Sequence, residues 1–428
     1  MSPTTLQAAH LLDELAWRGL LSQYTEGLPE WLARGAVTAY AGFDPSAPSL
    51  HVGNLVPVMG LVHLQRAGHR PIVLVGGGTG MIGDPSGKST ERQLNSPEIV
   101  EANTRAIRGQ LERFLDFSGA GGALMRDNAE WLLALGAVDF MRDVGKHFTV
   151  NYMLQKESVK SRMEAGISYT EFSYMLLQAY DYLELHRREG ATLQIGGSDQ
   201  WGNITAGVEL IRRTEGHESH ALTLPLVTTA AGTKFGKTES GAVWLDPARS
   251  SPYKMYQFWI NTDDRDVGRY LRFFTLLGRE EIEALDRETA EHPERRTAQQ
   301  ALATDVTARV HGSEAALAAA EVSALIFGRG EASSLSLAAL EALAAEVPFA
   351  ELPAPSDGTL DVVELFVAAK LAPSKGAARR LLEQGGLNVN GRRLGASDRS
   401  IDTTDLLPGR HLLLRKGARE YCLVRLAG

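Results

Sequence analysis

Three short apolar runs, each carrying glycine at or beside its end, restrict the fold of this chain more than any other feature. They are Thr38-Ala39-Tyr40-Ala41-Gly42-Phe43, Pro71-Ile72-Val73-Leu74-Val75-Gly76 and Ala191-Thr192-Leu193-Gln194-Ile195-Gly196. Runs of this length, with helical patterns between them from Val37 to Leu226, read as parallel strands buried on both faces. The expected architecture is α/β, a Rossmann-like doubly wound parallel sheet. In such sheets ligands bind beyond the carboxyl ends of the strands, so Gly42, Gly76 and Gly196 should face one crevice.

After Pro252 the strand signals stop. Asp264 to Leu277, Arg279 to Ala290 and Thr297 to Ile326 are rich in Ala, Leu, Glu and Arg and read as helices. Gly328 to Gly358 carries Gly-Arg-Gly, Leu-Pro-Ala-Pro and Ser-Asp-Gly and suits a connector, with one helix over Leu335 to Ala345. The expected division is a catalytic-type α/β domain over 1–250, an α-helical domain over 251–328, a linker over 329–358 and a small α+β domain over 359–428. A length of 428 residues suits two or three domains. No fixed-period repeat points to a solenoid.

Composition removes several classes. An apolar fraction of 44% with 22% charged residues belongs to a folding, water-soluble chain. Met1 to Leu15 includes Gln7, Asp13 and Glu14 where a signal peptide needs a basic start and an apolar core, so no export is expected. No apolar run approaches the ~20 residues that span a bilayer. A lone cysteine, Cys422, forms no intrachain disulfide and no thiolate zinc site, which fits a reducing cytoplasm. Charge is uneven: residues 360–428 hold 12 Lys/Arg against 7 Asp/Glu, a balance of +5, so the −8 of the whole chain leaves −13 for residues 1–359. The basic end is a different electrostatic object from the rest.

Two motifs carry chemistry. After the first strand, the turn from Asp44 to His51 leads into a helix expected to begin near Gly53, with Pro57 tolerated in its first turn. A helix amino terminus offers unpaired N–H groups to phosphate, and His51 and Asn54 can add donors where charge develops on phosphorus. About 180 residues later, Gly232-Thr233-Lys234-Phe235-Gly236-Lys237-Thr238 holds two lysines and a hydroxyl among glycines, a loop able to close over a polyphosphate. Taken alone, His51 reads first as a satisfied loop histidine and the lysine loop as a solvated turn; their pairing carries the information. A third stretch, Gly83 to Ser89, approaches a P-loop but places three residues between its glycines where a P-loop has four, one of them Pro85.

The pair resembles the signature motifs of the class I aminoacyl-tRNA synthetases: His51-Val52-Gly53-Asn54 is similar to their HIGH motif and Lys234-Phe235-Gly236-Lys237-Thr238 to their KMSKS motif. Asn54 replaces the second histidine, and Phe235 and Gly236 replace the methionine and first serine. Both variants are familiar in the tyrosine-specific branch. The resemblance to bacterial tyrosyl-tRNA synthetases continues through Gly76 to Lys88, Glu171 to Asp181 and Gly196 to Asn203, and covers nearly the whole chain.

That resemblance implies ATP-dependent activation of tyrosine followed by its esterification onto tRNA. His51 and Asn54 are then expected at the ATP phosphates and ribose, and Lys88, Arg92, Lys234, Lys237 and Thr238 at the departing pyrophosphate, with magnesium on the polyphosphate. Gly42, Asp44, Ser46, Gly53, Gly197, Asp199 and Gln200 are expected to bind ATP or the adenylate. Tyr40 and Asp181 would contact the phenolic hydroxyl of tyrosine, and Asp84, Tyr174 and Gln178 its ammonium group, with Gln194 also in the tyrosine site. Helical spacing agrees for three of these, since Tyr174, Gln178 and Asp181 at i, i+4 and i+7 share one face. No protein-held metal is expected.

The basic end also fits. Asp361 to Arg393 is similar to the RNA-binding module first known from a small-subunit ribosomal protein, which makes 359–428 an S-four-like domain. Lys375, Arg379 and Arg380 on a helix, and Arg392 and Arg393 after an Asn390-Gly391 turn, are its expected RNA contacts. The family further implies a homodimer with tRNA(Tyr) as partner. Three other readings compete: a tryptophan-specific synthetase, an idle synthetase-like RNA-binding protein, and a small-molecule nucleotidyltransferase. Asp181 argues against the first, since tryptophan has no hydroxyl for it.

Overall fold

The computed structural model describes residues 10–427, apart from 87–93, 120, 157–158, 161–162, 164–165, 234, 239–240, 328–329, 357 and 419, and apart from the side chains of 237 and 238. The chain divides into two compact units, Met1–Arg249 with Asp263–Ala298, and Ser250–Thr262 with Gln299–Gly428.

The first unit is built on a six-stranded sheet. Its strands are β1 (Gln23–Tyr24), β2 (Thr38–Phe43), β3 (Arg70–Val75), β4 (Leu124–Asp127), β5 (Ala191–Gly197) and β6 (His220–Leu224). They lie in the order β1-β6-β5-β2-β3-β4, parallel throughout except for β1, which runs antiparallel to β6. The chain therefore steps from β2 to β3 and β4 on one side, then returns to place β5 and β6 on the other. This reversal puts a topological switch point between β2 and β5, where a doubly wound sheet opens a ligand crevice. At that seam Tyr40 is in register with Gln194.

Helices join the parallel strands: Leu55–Arg66 between β2 and β3, Pro97–Leu111 between β3 and β4, Tyr169–Glu189 between β4 and β5, and Trp201–Thr214 between β5 and β6. The long Tyr169–Glu189 helix is set by its ends. Ser168 caps it by accepting the Glu171 N–H at 3.2 Å, and Gly190 ends it in the left-handed conformation at φ 66°. It packs closely on the Trp201–Thr214 helix because position 207 is glycine; a Cβ there would fall 2.8 Å from the Tyr182 ring. Tyr182, Met175, Ala179 and Leu183 from the first helix join Tyr40, Ile72 and Leu74 from the sheet in one core.

The helical stretch 251–328 contributes to both units. Asp264–Phe274 and Arg279–Glu291 belong with the sheet. Buried Arg18 explains part of this, donating to the carbonyls of Arg272, Thr275 and Leu277 at 2.9–3.0 Å. The expected single helix from Thr297 to Ile326 is two, Thr297–His311 and Ser313–Ile326, broken where Gly312 takes φ 93°.

In the second unit, strands β9 (Phe349–Pro353), β11 (Leu387–Val389), β12 (Arg392–Arg393), β14 (His411–Lys416) and β15 (Glu420–Ala427) form a sheet in the order β12-β11-β14-β15-β9; β10 (Thr359–Asp361) pairs with β13 (Ser400–Asp402). Two further short strands, β7 (Lys237–Thr238) and β8 (Gly241–Ala242), pair antiparallel in the first unit. Helices Val362–Ala368 and Lys375–Glu383 bury Phe366, Ala378 and Leu382 against Leu387, Leu412 and Val424. The stretch 329–358, expected as a connector, is built into this unit: Leu340 and Leu343 of the Leu337–Ala344 helix share a core with Leu413 and Leu423, and β9 pairs in parallel with β15.

Candidate functional site

A cavity of about 620 Å³ opens at the switch point. Gly42, Gly76 and Gly196 all line it, so the three glycine-bearing strand ends do face one crevice. Of the remaining residues expected in the site, Tyr40, Asp44, Ser46, His51, Gly53 and Asn54 enter from β2 and the turn after it. Asp84 comes from the stretch after β3, Tyr174, Gln178 and Asp181 from one face of the Tyr169–Glu189 helix, and Gln194, Gly197, Asp199 and Gln200 from β5 and its exit. Lys88, Arg92 and Lys234 lie outside the described residues, as do the side chains of Lys237 and Thr238; Gly232 and Phe235 of the lysine loop line the cavity.

At the floor Asp181 is 2% exposed. Its carboxyl oxygens accept from Trp131 Nε1 at 2.7 Å and Asn128 Nδ2 at 2.9 Å. Burial nevertheless pushes it up to about 8, helped by the charges of Asp44 and Asp127 and opposed by those two hydrogen bonds. Beside it the Tyr40 hydroxyl and Gln194 Oε1 are buried without a hydrogen-bond partner among the described residues. Two orphaned polar atoms from residues in register on neighbouring strands, next to a carboxyl, form a receptor for a small polar group, because leaving each unmade costs about 1–3 kcal/mol. Burial, then the Asp181 charge, holds the Tyr40 phenol well above its ordinary value, so it stays protonated.

Two turns back along the helix, Tyr174 donates its hydroxyl to Asp44 Oδ2 at 2.8 Å, and Thr79 Oγ1 donates to Asp44 Oδ1 at 2.8 Å. Burial and the Asp44 charge raise the Tyr174 phenol well above its usual range. Gln200 Nε2 donates to Asp84 Oδ2 at 2.6 Å, and Asn203 Nδ2 donates to Gln178 Oε1 at 3.1 Å. This end of the cavity is therefore lined by acceptors: the Tyr174 oxygen, Gln178 Oε1 and the Asp84 carboxylate.

The two signature motifs meet although they are far apart in sequence. His51 Nδ1 accepts the Gly53 N–H at 3.0 Å, and Asn54 Oδ1 accepts the His51 N–H at 3.0 Å, so the turn caps its own helix. An accepting Nδ1 makes Nε2 the protonated ring nitrogen. The helix starts as one 3₁₀ turn, Val52–Asn54, before the α-helix from Leu55. Backbone bonds then tie this segment to the run after the lysine loop, Val52 N–H to Val243 O at 3.0 Å and Leu245 N–H to Leu50 O at 2.8 Å. Gly236, at φ 82°, lies against Gly53: a Cβ there would be 3.2 Å from the Gly53 nitrogen. Phe235 anchors the loop by stacking on Phe274 at 5.1 Å and meeting Tyr270 edge-on.

Asn128, Trp131 and Thr79 were not among the residues expected in the site. Asn128 directly follows β4, so the rule that ligands gather at carboxyl ends of strands reaches it once β4 is recognised; Leu124-Met125-Arg126-Asp127 is too short and polar to announce itself as a strand.

The five basic residues expected at the RNA surface are not equivalent. Arg379 and Arg380 are exposed on the Lys375–Glu383 helix. Lys375 pairs with Glu364 at 2.6 Å and Arg392 with Asp398 at 2.8 Å, while Arg393 donates to the Gly385 carbonyl at 2.6 Å. The Asn390-Gly391 turn forms as expected, with φ 51° and 83°, joining β11 to β12.

Comparison with known proteins agrees with this geometry. The model for class I tRNA synthetases (W and Y) matches residues 32–328, and that for the tyrosine--tRNA ligase SYY-like C-terminal domain matches 339–424. The chain is 55% identical to the tyrosine--tRNA ligase of Anaeromyxobacter dehalogenans strain 2CP-1 over 97% of its own length and 99% of that protein. It is 53% identical to the tyrosine--tRNA ligase of Geobacillus stearothermophilus over 97% and 100%. Among solved structures, a C-terminally truncated mitochondrial tyrosyl-tRNA synthetase of Aspergillus nidulans superposes with a TM-score of 0.65 at 32% identity, covering 72% of this chain and 92% of that one. The chain belongs to the tyrosine--tRNA ligases, within the class I tRNA synthetases.

Proposed function

We propose that the chain activates L-tyrosine with ATP and transfers it to tRNA(Tyr), and that the cavity at the switch point is where both steps run. The observation that carries the tyrosine assignment is the buried Asp181 carboxyl beside the unpartnered Tyr40 hydroxyl. A substrate phenol pairs with both the Asp181 carboxyl and the Tyr40 hydroxyl; phenylalanine pairs with neither and leaves the Tyr40 hydroxyl buried and unmatched. The ammonium group lies among Tyr174, Gln178 and Asp84, with Gln194 completing the pocket wall.

The first step needs no general base, because the tyrosine carboxylate is already ionised at neutral pH. Its oxygen attacks the α-phosphorus of ATP, the bond to the bridging oxygen breaks, and pyrophosphate leaves with that electron pair. ATP enters as its magnesium complex, with the ion carried on phosphate oxygens. His51, through the Nε2–H that its Gly53 contact defines, and Asn54 act at the phosphates. Lys88, Arg92, Lys234, Lys237 and Thr238 act on the leaving pyrophosphate, as the family resemblance implies. Gly42, Asp44, Ser46, Gly53, Gly197, Asp199 and Gln200 form the nucleotide side. In the second step a ribose hydroxyl at the tRNA 3′ end attacks the adenylate carbonyl and AMP leaves.

Catalysis belongs to the unit of Met1–Arg249 with Asp263–Ala298, the remaining helices of 251–328 are the anticodon-side region, and 359–428 is an RNA-binding end whose leading phosphate contacts are Arg379 and Arg380. A homodimer is supported by Leu133, Val138, Met141 and Val150, large apolar side chains that are 59–76% exposed in a short stretch of one unit. A cytoplasmic location suits this role; among the described residues no helix is long and apolar enough to cross a membrane. Pyrophosphate exchange tests the reading. Exchange should depend on tyrosine and be absent with tryptophan or with no amino acid; exchange driven by tryptophan would overturn it.

A further inference from the structure

We infer that Asn203, behind the cavity wall, is a positioning residue that fixes the amides of Gln178 and Gln200 so that the site offers acceptors alone to the substrate ammonium group. An ammonium brings three N–H donors and no acceptor. A glutamine can show it either Oε1 or Nε2, and only one orientation binds. Something must choose.

The choice propagates from Asp84. Its carboxylate can only accept, so Gln200 turns Nε2 toward it, at 2.6 Å. Gln200 Oε1 is thereby directed to Asn203, whose Nδ2 lies 3.2 Å away. The same Nδ2 donates to Gln178 Oε1 at 3.1 Å and lies 3.4 Å from Ser86 Oγ. Turning Gln178 over would set its NH₂ against that of Asn203 and would also present a donor to the ammonium. Asn203 is 3% exposed, so water does not offset such a mismatch. Its place is fixed from below: it lies in the first turn of the Trp201–Thr214 helix, which Gly207 seats against Tyr182. The third acceptor is aligned independently, because Tyr174 spends its proton on Asp44 and keeps its oxygen for accepting.

The inference rests on reading this end of the cavity as the ammonium site, and the test separates the two. Wild type is measured first, by its KM for tyrosine in pyrophosphate exchange and by the Ki of 3-(4-hydroxyphenyl)propanoate, which has the phenol and carboxylate but no amino group. If tyrosine supports no exchange, the functional reading fails before any variant is made. Asn203→Ala should raise the tyrosine KM about tenfold, one lost amide alignment, with the Ki of the desamino compound within about twofold of wild type. Asn203→Ser, which keeps one donor, should lie between. Asn203→Asp, equal in size but reversed in polarity, should lose at least as much as alanine. Should the alanine variant not fold, the serine and aspartate variants carry the same comparison. Equal weakening of tyrosine and the desamino compound, or an aspartate variant that binds tyrosine like wild type, would overturn the inference.

Discussion

Asp181 ends the cavity with a carboxyl group that burial keeps protonated to about pH 8, although two donors are aimed at it. In the unfolded chain the same group ionises near pH ~3.9. Between these values the folded state holds a proton that the unfolded state has lost, so this residue withdraws stability as pH rises from about 4 to about 8, and the loss is complete above that. This is opposite in sign to a salt-bridged aspartate. Asp181→Asn cannot ionise and so lacks the effect. Its melting temperature relative to wild type should climb by several degrees from pH 5 to pH 8.5, whatever constant offset the new amide brings against Asn128; a difference independent of pH contradicts the raised carboxyl. The same variant should lose most tyrosine-dependent exchange, since its NH₂ must face one of the two donors that hold Asp181 and so displaces the group that pairs with the phenol. A folded-state protonation of this kind is invisible in sequence. Helical spacing puts Tyr174, Gln178 and Asp181 on one face, but only the buried neighbours Trp131 and Asn128 reveal how Asp181 is held.

At the level of elements, the strands ending in glycine and the capped Tyr169–Glu189 helix were legible because their signals are local: a period, a Ser168 cap, a Gly190 stop. The break at Gly312 was not, since an alanine-rich run continues on both sides and only the φ of 93° interrupts it. Nor was β9, an edge strand with alternating exposure whose reason to exist is β15, far along the chain. That pairing alters what a truncation near Ala354 would report. Such a cut removes β15 from β9 and uncovers Leu340 and Leu343, so lost charging would mix lost contacts with a broken core. Charge reversal on the exposed helix is cleaner. Arg379→Glu with Arg380→Glu should raise the KM for tRNA about tenfold or more and flatten its salt dependence, with pyrophosphate exchange, which uses no tRNA, as the internal reference. Arg392→Glu should do less, because Arg392 is already held by Asp398. Equal effects would remove the distinction between the exposed and the engaged arginines.

For the whole molecule, the switch point explains why residues from Tyr40 to Phe235 converge on one cavity, and the backbone ties between Leu50–Val52 and Val243–Leu245 explain how two weak motifs become one site. The fold class could be read from the sequence because a doubly wound sheet repeats its signal at its central strands, here β2, β3 and β5. The division into two units could not, because contacts such as that of Phe235 with Phe274 join segments that composition separates. Assembly is tested apart from chemistry: Val138→Asp with Met141→Asp should shift sedimentation from dimer to monomer, and an unchanged dimer would place the interface elsewhere. Reading of the substrate phenol by Asp181 and Tyr40 is tested by kcat/KM for tyrosine and for phenylalanine in pyrophosphate exchange, in wild type and Tyr40→Phe. Removing one hydroxyl should lower the tyrosine value about tenfold or more and leave the phenylalanine value unchanged or higher, because the orphaned group is gone. An equal fall for both amino acids would contradict the account.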